Sequence, residues 1–226
     1  MIWTLETEQK IRDFLIAENP DFKDKLNAGF HWIQMPSRLS RFYMRDAAAW
    51  LREHKGTNIR VLDFGAGTCT STLYYYSQGL TRIEAMDSNL YLVEVANRLF
   101  KEFGAPIRAM GVEYEDIYHL RGSWDAVLMQ DFLYFKFDLR KVLQSLRNVL
   151  PRGGVFIFDL LDYETPPKHG NRVYMTPSQV NQILKEEGYA LRGMSILDQG
   201  DNRKTSYYAE YLGSESILAP GGKPWV

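Results

Sequence analysis

Short apolar runs alternate with longer segments of helical periodicity from Asn58 onward, and this alternation restricts the chain to few folds. A strand, a helix and a second parallel strand form a crossover unit, and repeated units build a parallel sheet covered by helices. We therefore expect an α/β fold with a doubly wound, mostly parallel sheet and helices on both faces. The predicted strands are Arg60–Phe64, Arg82–Met86, Ile107–Met110, Trp124–Met129 and Val155–Leu160.

The segments between these runs carry helix signals. Apolar residues form one helical stripe in Leu92–Phe103 and another in Leu139–Leu150. Thr176 and Gln179 have the spacing of a capping box, which predicts a helix that begins there and ends at Gly188. These helices are long enough to cover the sheet.

The two ends of the chain differ from its centre. Strand-like runs at Tyr189–Leu197 and Thr205–Leu212 flank a turn-rich segment, which predicts an antiparallel hairpin at the end of the sheet. Residues 1–57 carry helical stripes and predict an N-terminal helical extension that acts as a cap or lid. We expect the α/β unit over residues 58–213 and a flexible tail over 214–226.

The charge and cysteine counts exclude several classes of protein. The 226 residues carry a net charge of −1, so no overall positive field is available to hold a nucleic acid backbone. The single cysteine, Cys69, forms no intrachain disulfide, and with four scattered histidines we expect no metal site. The N-terminus lacks the pattern of a signal peptide and no window is apolar enough for a membrane helix, so we expect a cytoplasmic protein.

The stretch Val61–Thr70 (VLDFGAGTCT) runs from an apolar strand through a loop of small residues into a helix. Gly65 and Gly67 allow a sharp turn and a close approach of a ligand to the backbone. The free N–H groups and the dipole of the following helix favour an anionic group such as a carboxylate or a phosphate. We expect a ligand site at this loop, with Cys69 in a packing role.

Two carboxylates near the loop indicate which ligand binds. Asp87 ends the second predicted strand, twenty residues after Gly67, which is the spacing of an acid that binds a ribose diol. Asp63 precedes the first glycine, where its charge would repel a pyrophosphate and attract an ammonium or a sulfonium. S-adenosylmethionine carries both cations. The structural alternatives are that Asp63 caps the turn and that Asp87 caps the next helix.

With Asp63, Gly65, Gly67 and Asp87 in this order, the chain from Gly56 to Leu212 resembles the class I S-adenosylmethionine-dependent methyltransferases. The family's third alternating glycine is replaced here by Cys69. The resemblance extends through SWDAVLMQDFLYF at the fourth strand and LPRGG before the fifth. It implies S-adenosylmethionine as the cofactor and S-adenosylhomocysteine as the product.

The resemblance also implies further contacts to the cofactor. The ribose hydroxyls would bind Asp87, with Ser88 beside it, and Gln130 would lie by the methionine part at the end of the fourth strand. In GVEYEDI, Glu113 matches the acid that binds the adenine amine and Tyr114 the residue against the ring. Glu115 and Asp116 compete with Glu113 for this role.

Methyl transfer needs an aligned acceptor and the exclusion of water, and a base is required only for a hydroxyl or ammonium acceptor. Four residues are candidates for that base. Asp131 and Tyr134 follow the fourth strand, at the edge where ligands of open α/β sheets bind. His31 lies in the N-terminal extension, and His169 lies in the polar segment after the fifth strand.

We expect a small-molecule acceptor methylated at oxygen or nitrogen, because the chain has no room for a target-recognition domain. Methylation of RNA or protein, or a non-catalytic nucleoside-binding domain, remains open. An NAD-dependent oxidoreductase is disfavoured, since its GxGxxG pattern requires glycine where Thr70 stands. The oligomeric state does not follow from the sequence.

Overall fold

A computed structural model describes residues 1–28, 42–130, 132, 137–161, 175–197 and 204–213 of the chain. Within these ranges, three helices precede the first strand, and helices and strands alternate after it up to a pair of strands at the end. In chain order the elements are α1 (Leu5–Glu18), α2 (Phe22–Ala28), α3 (Phe42–His54), β1 (Arg60–Phe64), α4 (Thr70–Ser77), β2 (Arg82–Asp87), α5 (Leu90–Glu102), β3 (Ala109–Gly111), a 3₁₀ helix (Tyr114–His119), β4 (Ala126–Met129), α6 (Leu139–Leu146), β5 (Val155–Leu161), α7 (Pro177–Glu186), β6 (Tyr189–Leu197) and β7 (Lys204–Tyr211).

The strands form one sheet in the order β3-β2-β1-β4-β5-β7-β6. Strands β1 to β5 are parallel, whereas β7 lies antiparallel between β5 and β6. The order reverses at β1 and β4, which makes the ends of these two strands the expected ligand-binding edge. The predicted fold class and the C-terminal hairpin are confirmed.

Element boundaries shift by a few residues from those predicted. The third strand starts at Ala109, because the backbone N–H of Ile107 closes a turn on the Ala105 carbonyl before pairing with β2 begins. Helix α6 ends at Leu146, and the apolar stripe beyond it belongs to turns whose side chains remain buried. The capping box of Thr176 and Gln179 at the start of α7 is present as predicted.

Each central strand is buried on both faces of the sheet, because its side chains alternate between two apolar clusters. On the first face, Val61 and Ile157 pack with residues of α1 to α5. On the second face, Leu62 and Phe156 pack with residues of α6 and α7. This alternation determines which polar side chains at the strand ends face the same helices.

The N-terminal helices pack on the first face. Ile11 and Leu15 of α1 are fully buried there, and Trp50 of α3 lies 5.4 Å from the Tyr208 ring of β7. That residues 1–57 form a separate cap or lid stays a prediction. Within the described ranges, no helix has both the length and the hydropathy required to cross a bilayer.

Candidate functional site

The loop between β1 and α4 is built from three residues in the left-handed backbone region. Gly65, Gly67 and Cys69 have φ values of 77°, 58° and 57°. This explains the alternating glycines, because glycine adopts this region without the steric cost of a Cβ. Cys69 is the one non-glycine residue with positive φ in the described part of the chain. Its thiol is buried, and burial raises its pKa, so it stays a neutral packing group.

Asp87 holds this loop in place from the end of β2. Its Oδ2 accepts a hydrogen bond from the Gly67 N–H at 2.8 Å, and its Oδ1 accepts one from the Asn89 N–H at 2.8 Å. The N-cap of α5 is Asn89, whose side chain accepts from the Leu92 N–H. Capping is therefore not the role of Asp87, and each of its oxygens retains a lone pair for a ligand hydroxyl.

Asp63 is directed at the first turn of α4. Its Oδ2 accepts hydrogen bonds from the Thr72 hydroxyl at 2.6 Å and the Ser71 hydroxyl at 3.2 Å. Burial raises the pKa of Asp63 to about 6, the two hydroxyls oppose this shift, and the nearby charge of Asp87 adds to it. The carboxylate is thus costly to ionise without a cation nearby.

The two carboxylates form an electrostatically incomplete site. Asp63 is 4% exposed and Asp87 is 8% exposed, and among the described residues neither has an ion-pair partner. Their hydrogen-bond donors are neutral hydroxyls and backbone N–H groups. Such a site favours a cationic ligand and disfavours a pyrophosphate, because buried like charges repel strongly.

An aromatic residue absent from the sequence-based predictions lies against the loop. A Cβ on Gly65 would come within 2.4 Å of the Phe132 ring. Because Gly65 has no side chain, the Phe132 ring packs against the loop at this position. The sequence-based interpretation had assigned that space to a ligand. The Phe132 ring centroid also lies 5.4 Å from that of Tyr114. The sequence could have indicated this residue, because it is an aromatic residue just after the fourth strand.

The segment after β3 reaches the same edge of the sheet. The Val112 N–H donates to the Asp87 carbonyl, which brings Glu113 and Tyr114 towards the loop. The Tyr114 ring is 49% exposed and packs on Phe132. The carboxylate of Asp116 accepts from the Glu113 N–H and is thus engaged at the start of the 3₁₀ helix.

Gln130 follows β4 directly beside the loop. Asp63 pairs with Leu128 in the sheet, so Gln130 and Gly65 each follow two residues after this pair at the same edge. The Tyr75 hydroxyl of α4 donates to Gln130 Oε1. The Gln130 Nε2 atom is buried and has no hydrogen-bond partner among the described residues. Tyr75 was not predicted from the sequence, where it belongs to an ordinary aromatic run.

A polar row continues from Gln130 across the next strands on the first face. Phe158 of β5 pairs with Met129, the residues just before Asp159 and Gln130, and Ser206 of β7 pairs with Asp159. Lys204 Nζ lies 2.7 Å from Asp159 Oδ2, and both side chains are buried. This row was not predicted, although an acid inside the apolar run VFIFDLL is its sequence signal.

The structure brings together the eight predicted cofactor-binding positions at the ends of β1 to β4. Ser88 lies between Asp87 and the helix cap Asn89. The four predicted catalytic residues, His31, Asp131, Tyr134 and His169, lie outside the described residues.

Comparison with known proteins agrees with this geometry. Residues 61–154 match a family model described as a methyltransferase domain, a span from β1 to the turn before β5. No match was found among curated proteins.

Many solved structures have similar folds, and three of them illustrate the range. The magnesium protoporphyrin IX methyltransferase of Synechocystis PCC 6803, with bound S-adenosylhomocysteine, has 14% identity and a TM-score of 0.66 over 90% of this chain and 99% of that chain. The 1,6-didemethyltoxoflavin-N1-methyltransferase of Burkholderia thailandensis, with bound 1,6-didemethyltoxoflavin and S-adenosylhomocysteine, has 20% identity and a TM-score of 0.64 over 94% and 92%. The cyclase SpnF has 13% identity and a TM-score of 0.62 over 74% and 80%. The family match together with the shared fold confirms the resemblance to class I methyltransferases. At identities of 13–20%, the solved structures by themselves show the fold alone.

Proposed function

We propose that this protein is an S-adenosylmethionine-dependent methyltransferase that transfers a methyl group to a small molecule at oxygen or nitrogen. The observation that carries the proposal is the pair of buried carboxylates, Asp63 and Asp87, at a loop of backbone N–H groups with no basic partner in the described part of the chain. The family match over residues 61–154 and the methyltransferases of similar fold support it.

The residues present fit this cofactor. Both oxygens of Asp87 can accept from a ribose diol while they keep their backbone hydrogen bonds. The negative charge of Asp63 suits the ammonium group, and Gln130 Nε2, which has no partner among the described residues, is a donor for a ligand oxygen. Tyr114 and Glu113 follow β3 as the candidates for the adenine ring and its amine.

When bound, S-adenosylmethionine supplies an electrophilic methyl group on a positively charged sulfur. The chain's own residues then have two tasks in the reaction. Asp63 would hold the ammonium group and Asp87 the ribose diol, which fixes the cofactor in a buried site where electrostatic interactions are stronger than in water. Phe132 and the neighbouring aromatic rings exclude water from the loop.

The acceptor would bind on the β5 and β7 side of the loop. Asp159 and Ser206 are fully buried behind this edge, on the strands next to β4. A compact polar acceptor would bind in front of them, at the Gln130 end, and reach the methyl group from there. Removal of an acceptor proton is proposed for one of Asp131, Tyr134, His31 and His169, as the sequence suggested.

Calorimetry tests the cofactor first. We expect S-adenosylhomocysteine to bind with a Kd in the micromolar range and NAD not to bind. Binding of NAD alone would overturn the proposal. The Asp63→Asn variant, which keeps an oxygen for Thr72 but has no charge, is the matched control and should bind S-adenosylhomocysteine more weakly.

Two other functions on the same fold are distinguished by turnover. A structure similar to this chain is named as a cyclase, which favours a non-methylating protein as the second candidate. Incubation with labelled-methyl cofactor and metabolite extracts, RNA or total protein identifies the acceptor class. Label in small molecules supports the proposal, label in RNA or protein reassigns the substrate, and cofactor binding without any label supports the second candidate.

A further inference from the structure

Tyr75 occupies an unusual position for a tyrosine in the hydrophobic core. The side chain, on the inner face of α4, has 0% exposure, and its hydroxyl donates to Gln130 Oε1. Burial raises the pKa of Tyr75 well above its ordinary value, and the charges of Asp63 and Asp159 add to this effect. The hydroxyl therefore remains protonated, and its proton is directed to the amide oxygen of Gln130.

This hydrogen bond determines which end of the Gln130 amide stays available. With Oε1 engaged by Tyr75, the amide directs its Nε2 away from Tyr75. That nitrogen is buried and lacks a partner among the described residues, which is uncommon for a buried donor. A ligand oxygen that hydrogen bonds to it would relieve this deficit.

The location of the amide indicates the ligand group. Leu128 pairs with Asp63 and packs on the first face of the sheet, and Gln130 follows two residues later, so it is on the same face as Asp63. A lysine or arginine here would pair with Asp63 and cancel the charge that attracts a cation. An uncharged amide N–H can instead bind an anionic oxygen and leave that charge in place.

We infer that Tyr75 is a positioning residue that, through Gln130, presents an amide N–H to the carboxylate of the cofactor's amino-acid part. This inference rests on the proposed function. Tyr75 itself touches neither cofactor nor acceptor. Its contribution is to hold the Gln130 amide in the orientation with nitrogen towards the ligand.

The test compares two ligands that differ in the amino-acid part. S-adenosylhomocysteine contains this carboxylate, and 5′-methylthioadenosine lacks the whole amino-acid group. We expect Tyr75→Phe to weaken S-adenosylhomocysteine binding by about 10- to 150-fold, the range for one hydrogen bond to a charged group, and to change methylthioadenosine binding less than about twofold. Both dissociation constants are measured by calorimetry.

The matched control is Tyr74→Phe, on the neighbouring residue of α4. The charged groups around Tyr74 are Arg45, Arg52, Glu8 and Asp46, and Asp63 is not among them. This variant should leave both affinities at wild-type values. A general loosening of α4 would lower both affinities in both variants, which would overturn the inference.

A double-mutant cycle tests whether Tyr75 acts through Gln130. Gln130→Ala should lower S-adenosylhomocysteine affinity selectively, and Tyr75→Phe should have no further effect in that background. Additive losses would overturn the inference. If Tyr75→Phe fails to fold, as shown by circular dichroism, Gln130→Ala alone decides: equal effects on the two ligands would also overturn it. Failure of the wild-type protein to bind S-adenosylhomocysteine would instead count against the proposed function.

Discussion

The carboxylate of Asp87 accepts a hydrogen bond from the backbone N–H of Gly67 at 2.8 Å, which joins the end of β2 to the centre of the glycine loop. The residue proposed to bind the ribose thus also fixes the shape of the loop. Its second oxygen accepts from the Asn89 N–H at the start of α5. Binding and local structure are therefore coupled at one side chain.

We predict that Asp87→Ala weakens cofactor binding by about 1.5–3 kcal/mol, the value of a charge-assisted hydrogen bond. It should also lower the melting temperature, because the N–H groups of Gly67 and Asn89 lose their acceptor. Asp87→Asn, which keeps one oxygen acceptor, should lose less stability. Calorimetry and thermal unfolding measure the two effects, and unchanged affinity for S-adenosylhomocysteine would remove Asp87 from the site.

We predict that Asp63→Asn stabilises the unliganded protein at pH 7. The pKa of Asp63 is raised from 3.8 to about 6, so the folded protein binds more protons than the unfolded chain between these pH values, and its free energy of unfolding falls as pH rises through them. The free energy of unfolding falls by about 3 kcal/mol in total, and the asparagine side chain, which does not ionise, avoids this loss. Urea unfolding of both proteins should show a difference that grows from pH 4 to pH 6.5. A difference that does not change with pH would contradict the assigned cause.

Binding of S-adenosylhomocysteine should depend on pH in the opposite sense. Only the ionised form of Asp63 attracts the ligand's ammonium group, and its pKa is raised to about 6. Affinity should therefore be about tenfold weaker at pH 5 than at pH 7.5, one decade for the one pH unit below that pKa. Asp63→Asn should bind with the same low affinity at both values. Calorimetry at the two pH values provides the measurement.

Replacement of Gly65 by alanine should be more harmful than the same change at another glycine of positive φ. At Gly65 the new methyl group would come within 2.4 Å of the Phe132 ring, whereas at Gly104, with φ +62°, no atom lies within 4 Å. Gly104→Ala should cost about 1 kcal/mol for backbone strain alone. Gly65→Ala should cost at least about 1–3 kcal/mol more because of overpacking. Equal losses in urea unfolding would show that the ring moves aside freely.

At position 69, glycine should give a more stable protein than alanine. Its φ of 57° disfavours any residue with a Cβ, so Cys69→Gly should be more stable than Cys69→Ala by about 0.5–1 kcal/mol. The control is Ala96→Gly in the interior of α5, which should be destabilising because glycine is a poor helix former. Glycine in place of alanine should therefore raise the melting temperature at position 69 and lower it at position 96.

Local chemistry explains why much of the fold was predictable. The strands β1, β2 and β5 are short apolar runs with clear ends, and the capping box at Thr176 identifies the start of α7. Boundaries that depend on pairing with a neighbour, such as the start of β3 at Ala109, do not appear in the local sequence.

The site was predictable where a motif occupies one stretch of chain. Asp63, the two glycines and Asp87 follow from the order of residues, whereas the left-handed conformation at Cys69 was first seen in the structure. The contacts of Tyr75 with Gln130 and of Phe132 with Gly65 join distant segments, so only the folded arrangement reveals them. The Asp159–Lys204 pair was missed for the same reason.

The insertion of β7 between β5 and β6 has a consequence for synthesis on the ribosome. Among the described strands, the one that pairs with the outer side of β5 is β7 (Lys204–Tyr211), and it is translated after all the others. Until that segment emerges, the open backbone groups of β5 are a template for association with other nascent chains. Chaperone dependence during translation should therefore concentrate in the interval between the completion of β5 and that of β7.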